Sequence, residues 1–127
     1  MKETLIWKSL KGPLSRLGKF QKISDRFSGG VPDVLGSRTP DGRGVAMELK
    51  ESGTSRLIKV RFRPRQLDWL LDWEASGALS WVVVSQGDFL YAFLPTEALE
   101  NGIPPDHAAF KVHRRNQWDE LANFLVR

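Results

Sequence analysis

The run LSWVVVS at 79–85 constrains the fold most. Its apolar residues are nearly continuous rather than alternating, so both faces of an extended segment here want burial. That reads as a strand in the middle of a sheet with layers on both sides. At 127 residues the chain suits one domain with one core, spanning 1–127. A hydrophobic share of 41% and a charged share of 27% fit a globular chain rather than a disordered one.

The remaining segments arrange themselves around that strand. Residues 2–10 read as a short helix, with Gly12-Pro13 as its stop. Leu14 and Leu17 can instead prolong the helix to Gly18, after which KFQKIS alternates as a strand does. PDVLGS and VAMELK read as two strands, joined across the turn signals Pro40, Asp41 and Gly42. The hairpin spans 33–50. LIKVRFR alternates and reads as a short strand or an extended arm. Pro64 suits the first turn of a helix carrying Leu67, Leu70 and Leu71 on one stripe and Trp69 and Trp73 on an adjoining face, with Gly77 as stop. FLYAFL is a further strand, Thr96 a cap for a helical turn ending at Asn101-Gly102, and Asn116 the cap of a last helix with Trp118, Leu121, Phe124 and Leu125 inward. The expected fold class is α/β, a central mixed β-sheet flanked by helices.

Composition narrows the chemistry. The chain has no cysteine, which excludes disulfides, thiolate catalysis and Cys-based zinc sites. Two histidines, His107 and His113, make an all-His zinc site a poor reading. Any metal is therefore held by oxygen, which favours Mg²⁺ or Mn²⁺. The N-terminal stretch lacks the apolar core of a signal peptide, and no apolar run approaches a membrane span, so the expectation is a soluble cytoplasmic protein without membrane contact.

The net charge of +4 is clustered. Arg56, Lys59, Arg61, Arg63 and Arg65 lie in ten residues without an acid, and Lys111, His113, Arg114 and Arg115 form a smaller group. Such patches fit a polyanionic partner, and equally an edge strand that uses basic residues against aggregation.

The hairpin concentrates the candidate chemistry. Its two ends lie close in space. Glu48 and Lys50 are two apart, so both leave one face of their strand. Leu49 points the other way, but its carbonyl is available. Asp33, Glu48 and that carbonyl can form an oxygen cage for one divalent cation, with Lys50 beside it. A metal so held polarises a phosphate and lowers the pKa of a bound water, and a lysine stabilises the charge that develops. A hairpin with solvated charged ends has the same pattern.

VPDVLG and MELK, with fourteen residues between Asp33 and Glu48, resemble the PD-(D/E)XK nuclease superfamily. The G-x-PD, E-x-K and helix-borne Gln order is similar to VRR-NUC nucleases. The small size, Glu3 in the first helix, and Arg26 and Ser28 in DRFSGGVPD are similar to archaeal-type Holliday junction resolvases. The resemblance covers roughly residues 3–85. It implies a restriction-endonuclease-like core and Mg²⁺-dependent, structure-selective DNA endonuclease activity, with Mn²⁺ substituting. Such an enzyme serves DNA recombination and repair by hydrolysing phosphodiester bonds in four-way or other branched DNA as a homodimer. It further implies Asp33, Glu48 and the Leu49 carbonyl as metal ligands, Glu3 reaching the metal through water, and Lys50 positioning the attacking water. Gln66 then braces the site or touches the phosphate. Arg26, Ser28 and the basic residues Arg56, Lys59, Arg61, Arg63 and Arg65 contact DNA. Trp69 and Trp73 are expected at a subunit interface rather than in the core or stacked on bases. A VRR-NUC nicking or flap enzyme, a restriction-type endonuclease and a non-catalytic DNA-binding module of this fold are the alternatives.

Overall fold

The computed structural model describes residues 1–24, 29–53 and 55–127. In chain order the elements are α1 (Glu3–Ser15), β1 (Gly18–Lys22), β2 (Val34–Arg38), β3 (Gly44–Glu51), α2 (Gln66–Ala75), β4 (Leu79–Gln86), β5 (Phe89–Phe93), β6 (Phe110–His113) and α3 (Trp118–Val126). Two 3₁₀ turns, Leu99–Asn101 and Pro105–His107, lie between β5 and β6. Among the described residues no helix is long and apolar enough to cross a membrane.

The six strands form one mixed sheet in sequential order, β1 to β6. Every neighbouring pair is antiparallel except β3–β4, where α2 carries the chain across and the strands run parallel. The expected α/β architecture is therefore present, with β4 buried on both faces from Ser80 to Ser85. The β2–β3 hairpin also forms, and its second strand is as central as β4: Val45 to Leu49 are all buried.

Alternation along the central strands divides the interior into two layers. Val45, Met47, Leu49, Trp81 and Val83 face α1 and α3, meeting Ile6, Leu10, Leu14, Leu121 and Leu125. Ala46, Val82 and Val84 face the other way, under Leu70 of α2 and a coil at 55–63 that brings Ile58, Val60 and Phe62 onto the sheet. Each fully buried aliphatic side chain contributes about 1.5–3 kcal/mol relative to exposure, so both layers must stay covered.

Several local expectations are corrected. Helix α1 does not stop before Gly12-Pro13 but runs to Ser15, as the longer reading allowed. Pro13 forfeits only its own N–H bond, while Leu14 extends the buried stripe of Ile6 and Leu10 by one more turn. Pro64 is not the first helical residue. It lies in a turn, and Arg65, with φ +73°, leads into α2 at Gln66. Thr96 caps nothing, since the 3₁₀ turn starts from Ala98 without a side-chain cap. Asn116 likewise yields to Gln117 as the residue before α3, and the Gln117 side chain accepts from the His113 N–H at 2.6 Å instead. The segment at 56–63 is an arm rather than a strand, bridged to Ile103 at Ile58 and held further by the Val60 N–H, which donates to Leu99 O at 3.1 Å.

Candidate active site

The direction of each backbone group on β3 decides what can meet at its end. The Ser52 N–H donates to Ser85 O on β4 at 2.8 Å, so even-numbered residues of this stretch turn their backbone groups to β4. Odd-numbered ones face β2, as Met47 does opposite Val34. The paired register ends there. At Leu49 the N–H donates instead to Asp33 Oδ2, 2.8 Å away. In an extended strand the N–H and C=O of one residue point to the same side, so the Leu49 carbonyl also faces the Asp33 end. Asp33 is itself held in place by its own carbonyl, which accepts from the Ile23 N–H at 2.8 Å.

Glu48 turns its side chain into the layer beneath α2, beside Val82. It is 1% exposed. Its Oε1 accepts from Gln66 Nε2 at 3.1 Å, whereas Oε2 is buried with no donor among the described residues. Burial first, then a hydrogen bond to Asp33 that only the protonated acid makes, then the negative charge of Asp33, push the Glu48 pKa up to about 9. Lys50 opposes this shift. Two carboxylates so placed either share a proton or share a cation.

Lys50 shares the face of Glu48, as its spacing requires. Its Nζ lies 3.1 Å from Gln66 Oε1, 4.0 Å from Glu48 Oε1 and 5.3 Å from the centre of the Phe62 ring. Gln66, 1% exposed at the start of α2, uses its whole amide here. Nε2 holds Glu48, and Oε1 accepts both Lys50 Nζ and, at 2.7 Å, the Arg63 N–H. Gln66 therefore braces the site and does not reach outward. Phe62, Gly30 and Gln86 were not singled out in the sequence. Phe62 forms the apolar wall beside Lys50, and the arm's alternation is the signal for it. Gly30, at φ +117°, lies so close to Arg65 that a Cβ there would meet Arg65 Cβ at 2.8 Å. Gln86 clamps the start of the arm, its Nε2 bonding Gly53 O at 2.9 Å and Leu57 O at 3.0 Å. Nothing in the sequence around Gln86 marks that role.

Glu3 reaches this end of the sheet from the opposite layer, where the N-terminal ammonium pairs with Glu51 Oε2 at 3.0 Å. The Glu3 residue is exposed, yet its pKa is raised, by burial first and then by the charge of Asp33, with Lys50, Lys22 and Arg63 opposing. Glu3 thus lies within electrostatic reach of the pair. Among the described residues no three His, Asp or Glu side chains cluster as a metal site. The oxygen set at the end of β3 is two carboxylates and a carbonyl. That set, with Oε2 unpartnered and the pair repelling, fits a hard divalent cation.

The basic arm alternates cleanly. Ile58, Val60 and Phe62 are buried, and Lys59, Arg61 and Arg63 are exposed, as are Arg56 and Arg65. Glu100 Oε2 helps hold the arm by accepting from the Phe62 N–H at 3.4 Å. Arg26 and Ser28 lie outside the described residues. Trp69 and Trp73 stack on each other, ring centres 4.9 Å apart, half-buried and packed against the layer under α2.

No protein-family model matches the chain, and no curated protein matches it. Solved structures do. Archaeoglobus fulgidus Hjc, a Holliday junction resolvase from an archaeal hyperthermophile, superposes with a TM-score of 0.61 over 97% of each chain at 14% sequence identity. That coverage takes in the C-terminal third, which lies beyond the reach of the sequence resemblance. The chain has the α/β fold of this solved structure.

Proposed function

We propose that the protein is a Mg²⁺-dependent, structure-selective DNA endonuclease, acting as a homodimer on Holliday junctions or related branched DNA in the cytoplasm. The observation that carries this reading is the convergence of Asp33, the orphaned Glu48 Oε2 and the Leu49 carbonyl beside a lysine held by Gln66. The fold likeness to a resolvase supports it.

Asp33, Glu48 and the Leu49 carbonyl would hold Mg²⁺, or Mn²⁺ in its place. A bound divalent ion supplies Lewis-acid polarisation of the phosphate and a water of lowered pKa. The chain's own residues do the rest. Lys50 Nζ, fixed by Gln66 against the Phe62 wall, presents a charged donor to the attacking water and to the phosphate oxygens as negative charge builds on them. Gln66 spans Glu48 and Lys50, one end of its amide on each, and so fixes the ammonium beside the carboxylate. Glu3 adds negative charge nearby and would reach such an ion through water. Hydrolysis needs no protein nucleophile: water forms the new P–O bond as the bond to the leaving strand's oxygen breaks, and of the water's two protons one ends on that leaving oxygen and the other in solvent. The arm, with Arg56, Lys59, Arg61, Arg63 and Arg65 outward, holds backbone phosphates, and Arg26 and Ser28 contact the backbone near the cut. Two such sites related by a two-fold axis cut two strands symmetrically, with the Trp69–Trp73 face of α2 as the subunit contact.

The test is a labelled four-way junction beside linear duplex of the same sequence, with Mg²⁺, with EDTA, and with Asp33→Asn. Paired nicks in the junction alone, absent in the other two arms, are expected. Equal cutting of linear duplex would retain the nuclease and reject the junction preference. Tight binding without cutting under any divalent ion would leave a non-catalytic module.

A further inference from the structure

Lys111, in the second basic group of the sequence at 111–115, plays no part in the site described above, yet the register brings it onto the same face. Lys50 pairs with Val84, Val84 with Tyr91, and Tyr91 with Lys111, so these four residues form one row across β3, β4, β5 and β6. Val84 and Tyr91 belong to the layer under α2 and the arm, and Lys50 and Lys111 share their face. Lys111 Nζ lies 4.0 Å from the Phe89 ring centre and 5.8 Å from that of Tyr91. An edge-strand lysine that merely blocks pairing has no need of this position. The ring contacts instead fix the ammonium over the sheet face. Arg115, exposed just past β6, is steadied by its N–H, which donates to His113 Nδ1 at 3.2 Å. Arg114 differs, because its guanidinium is taken up by Asp88 at 3.4 Å. Among the described residues no carboxylate pairs with Lys111 or Arg115.

Between Lys50 and Lys111 runs the arm, its apolar side on the sheet and Lys59, Arg61 and Arg63 outward. Arg63 is the member nearest the catalytic carboxylates, through its N–H on Gln66. Three strand spacings of about 4.8 Å separate β3 from β6, about 14 Å in all. At a rise of about 3.4 Å per nucleotide this is about four nucleotides.

We infer that Lys111 and Arg115 bind the DNA backbone about four nucleotides from the cut phosphate, completing a cationic track that runs from Lys50 over the arm to the β6 edge. This inference rests on the nuclease reading for the position of the cut. The experiment compares binding of a four-way junction in EDTA, over a series of KCl concentrations, for the full chain and for Lys111→Gln/Arg115→Gln. Loss of two phosphate contacts lowers the slope of log K against log salt by about 1.8. Lys8→Gln/Lys11→Gln removes equal charge from the exposed side of α1 and leaves the slope as it was. A neutral methylphosphonate about four nucleotides from the cut weakens binding by the unaltered chain and not by the Lys111/Arg115 variant. Equal slopes for the unaltered and Lys111/Arg115 chains, or an equal drop in the α1 control, would overturn the inference. An unaltered chain that binds with the expected slopes but does not cut would sink the nuclease reading and leave the track standing. A chain that retains no DNA at low salt would overturn both.

Discussion

Gln66 Nε2 lies 3.1 Å from Glu48 Oε1, joining the first residue of α2 to a buried carboxylate in the middle of the sheet. The other end of the same amide accepts Lys50 and the Arg63 N–H. Gln66→Ala therefore strands the buried Glu48 carboxylate and takes the acceptor from two part-buried donors, Lys50 Nζ and the Arg63 N–H. Each unsatisfied group costs about 1–3 kcal/mol. We expect urea melting to show a loss at the upper end of that range for a single group, since water can enter the gap. Single-turnover cleavage should fall on the order of 10²-fold, because Lys50 loses its anchor. A variant with unchanged melting and unchanged cleavage would show that the amide braces nothing.

Glu48 sets the pH dependence of the metal-free protein. Its pKa is raised from the ordinary carboxylate value of 4.5 to about 9. Between those limits the folded protein keeps a proton that the unfolded chain has released, so the stability of the folded state falls as pH rises through this window. Below it both states are protonated, and above it both are ionised. Glu48→Gln, which cannot ionise, should flatten that decline in EDTA and raise the melting temperature at pH 8. It should also abolish Mg²⁺-dependent cleavage. A decline in melting temperature across the window as steep in Glu48→Gln as in the unaltered chain would place its origin elsewhere.

Lys50 is half-buried, its ammonium 3.1 Å from the uncharged Gln66 Oε1 and 4.0 Å from Glu48 Oε1. Lys50→Met keeps the stem on Phe62 and removes the ammonium. Cleavage should drop on the order of 10²–10³-fold. Junction affinity in EDTA should change by less than the effect on cleavage, because the arm supplies most phosphate contacts. Gel-shift and single-turnover assays on the same preparation separate the two effects.

Gly30→Ala tests the seam between the loop that leads to Asp33 and the turn that starts α2. The position combines φ +117° with a Cβ that would press on Arg65 at 2.8 Å. Left-handed backbone and a fixed neighbour together should cost about 1–3 kcal/mol. Asp33 lies three residues on, so cleavage should fall with stability. Arg65 is itself at φ +73°, and Arg65→Gly in the Gly30→Ala background should recover part of the melting temperature by relieving both strains. No recovery would mean that the clash is not with Arg65.

How much of this was legible beforehand depends on the range of the forces involved. The sequence by itself determined whatever local periodicity and turn chemistry decide. That includes the doubly buried strand at 79–85, the hairpin at 33–50, the placing of Glu48 and Lys50 on one face, and the helix holding Leu67 and Leu70. The alternation of Ile58, Val60 and Phe62 with Lys59, Arg61 and Arg63 also belongs there, because a residue's side follows from counting. Helix ends were less certain. Leu14 found a buried place that outweighed Pro13, and Gln117 was drawn to His113, and neither contact is visible from neighbouring residues. Only the tertiary structure decided that β3 lies beside β4 in parallel. That pairing buries Glu48, leaves Oε2 without a donor, and brings Gln66 from eighteen residues away onto the carboxylate and the lysine. It also carries Lys111 into line with Lys50. Such relations depend on which strands become neighbours, and the burial of two separate apolar layers sets that order across the whole chain.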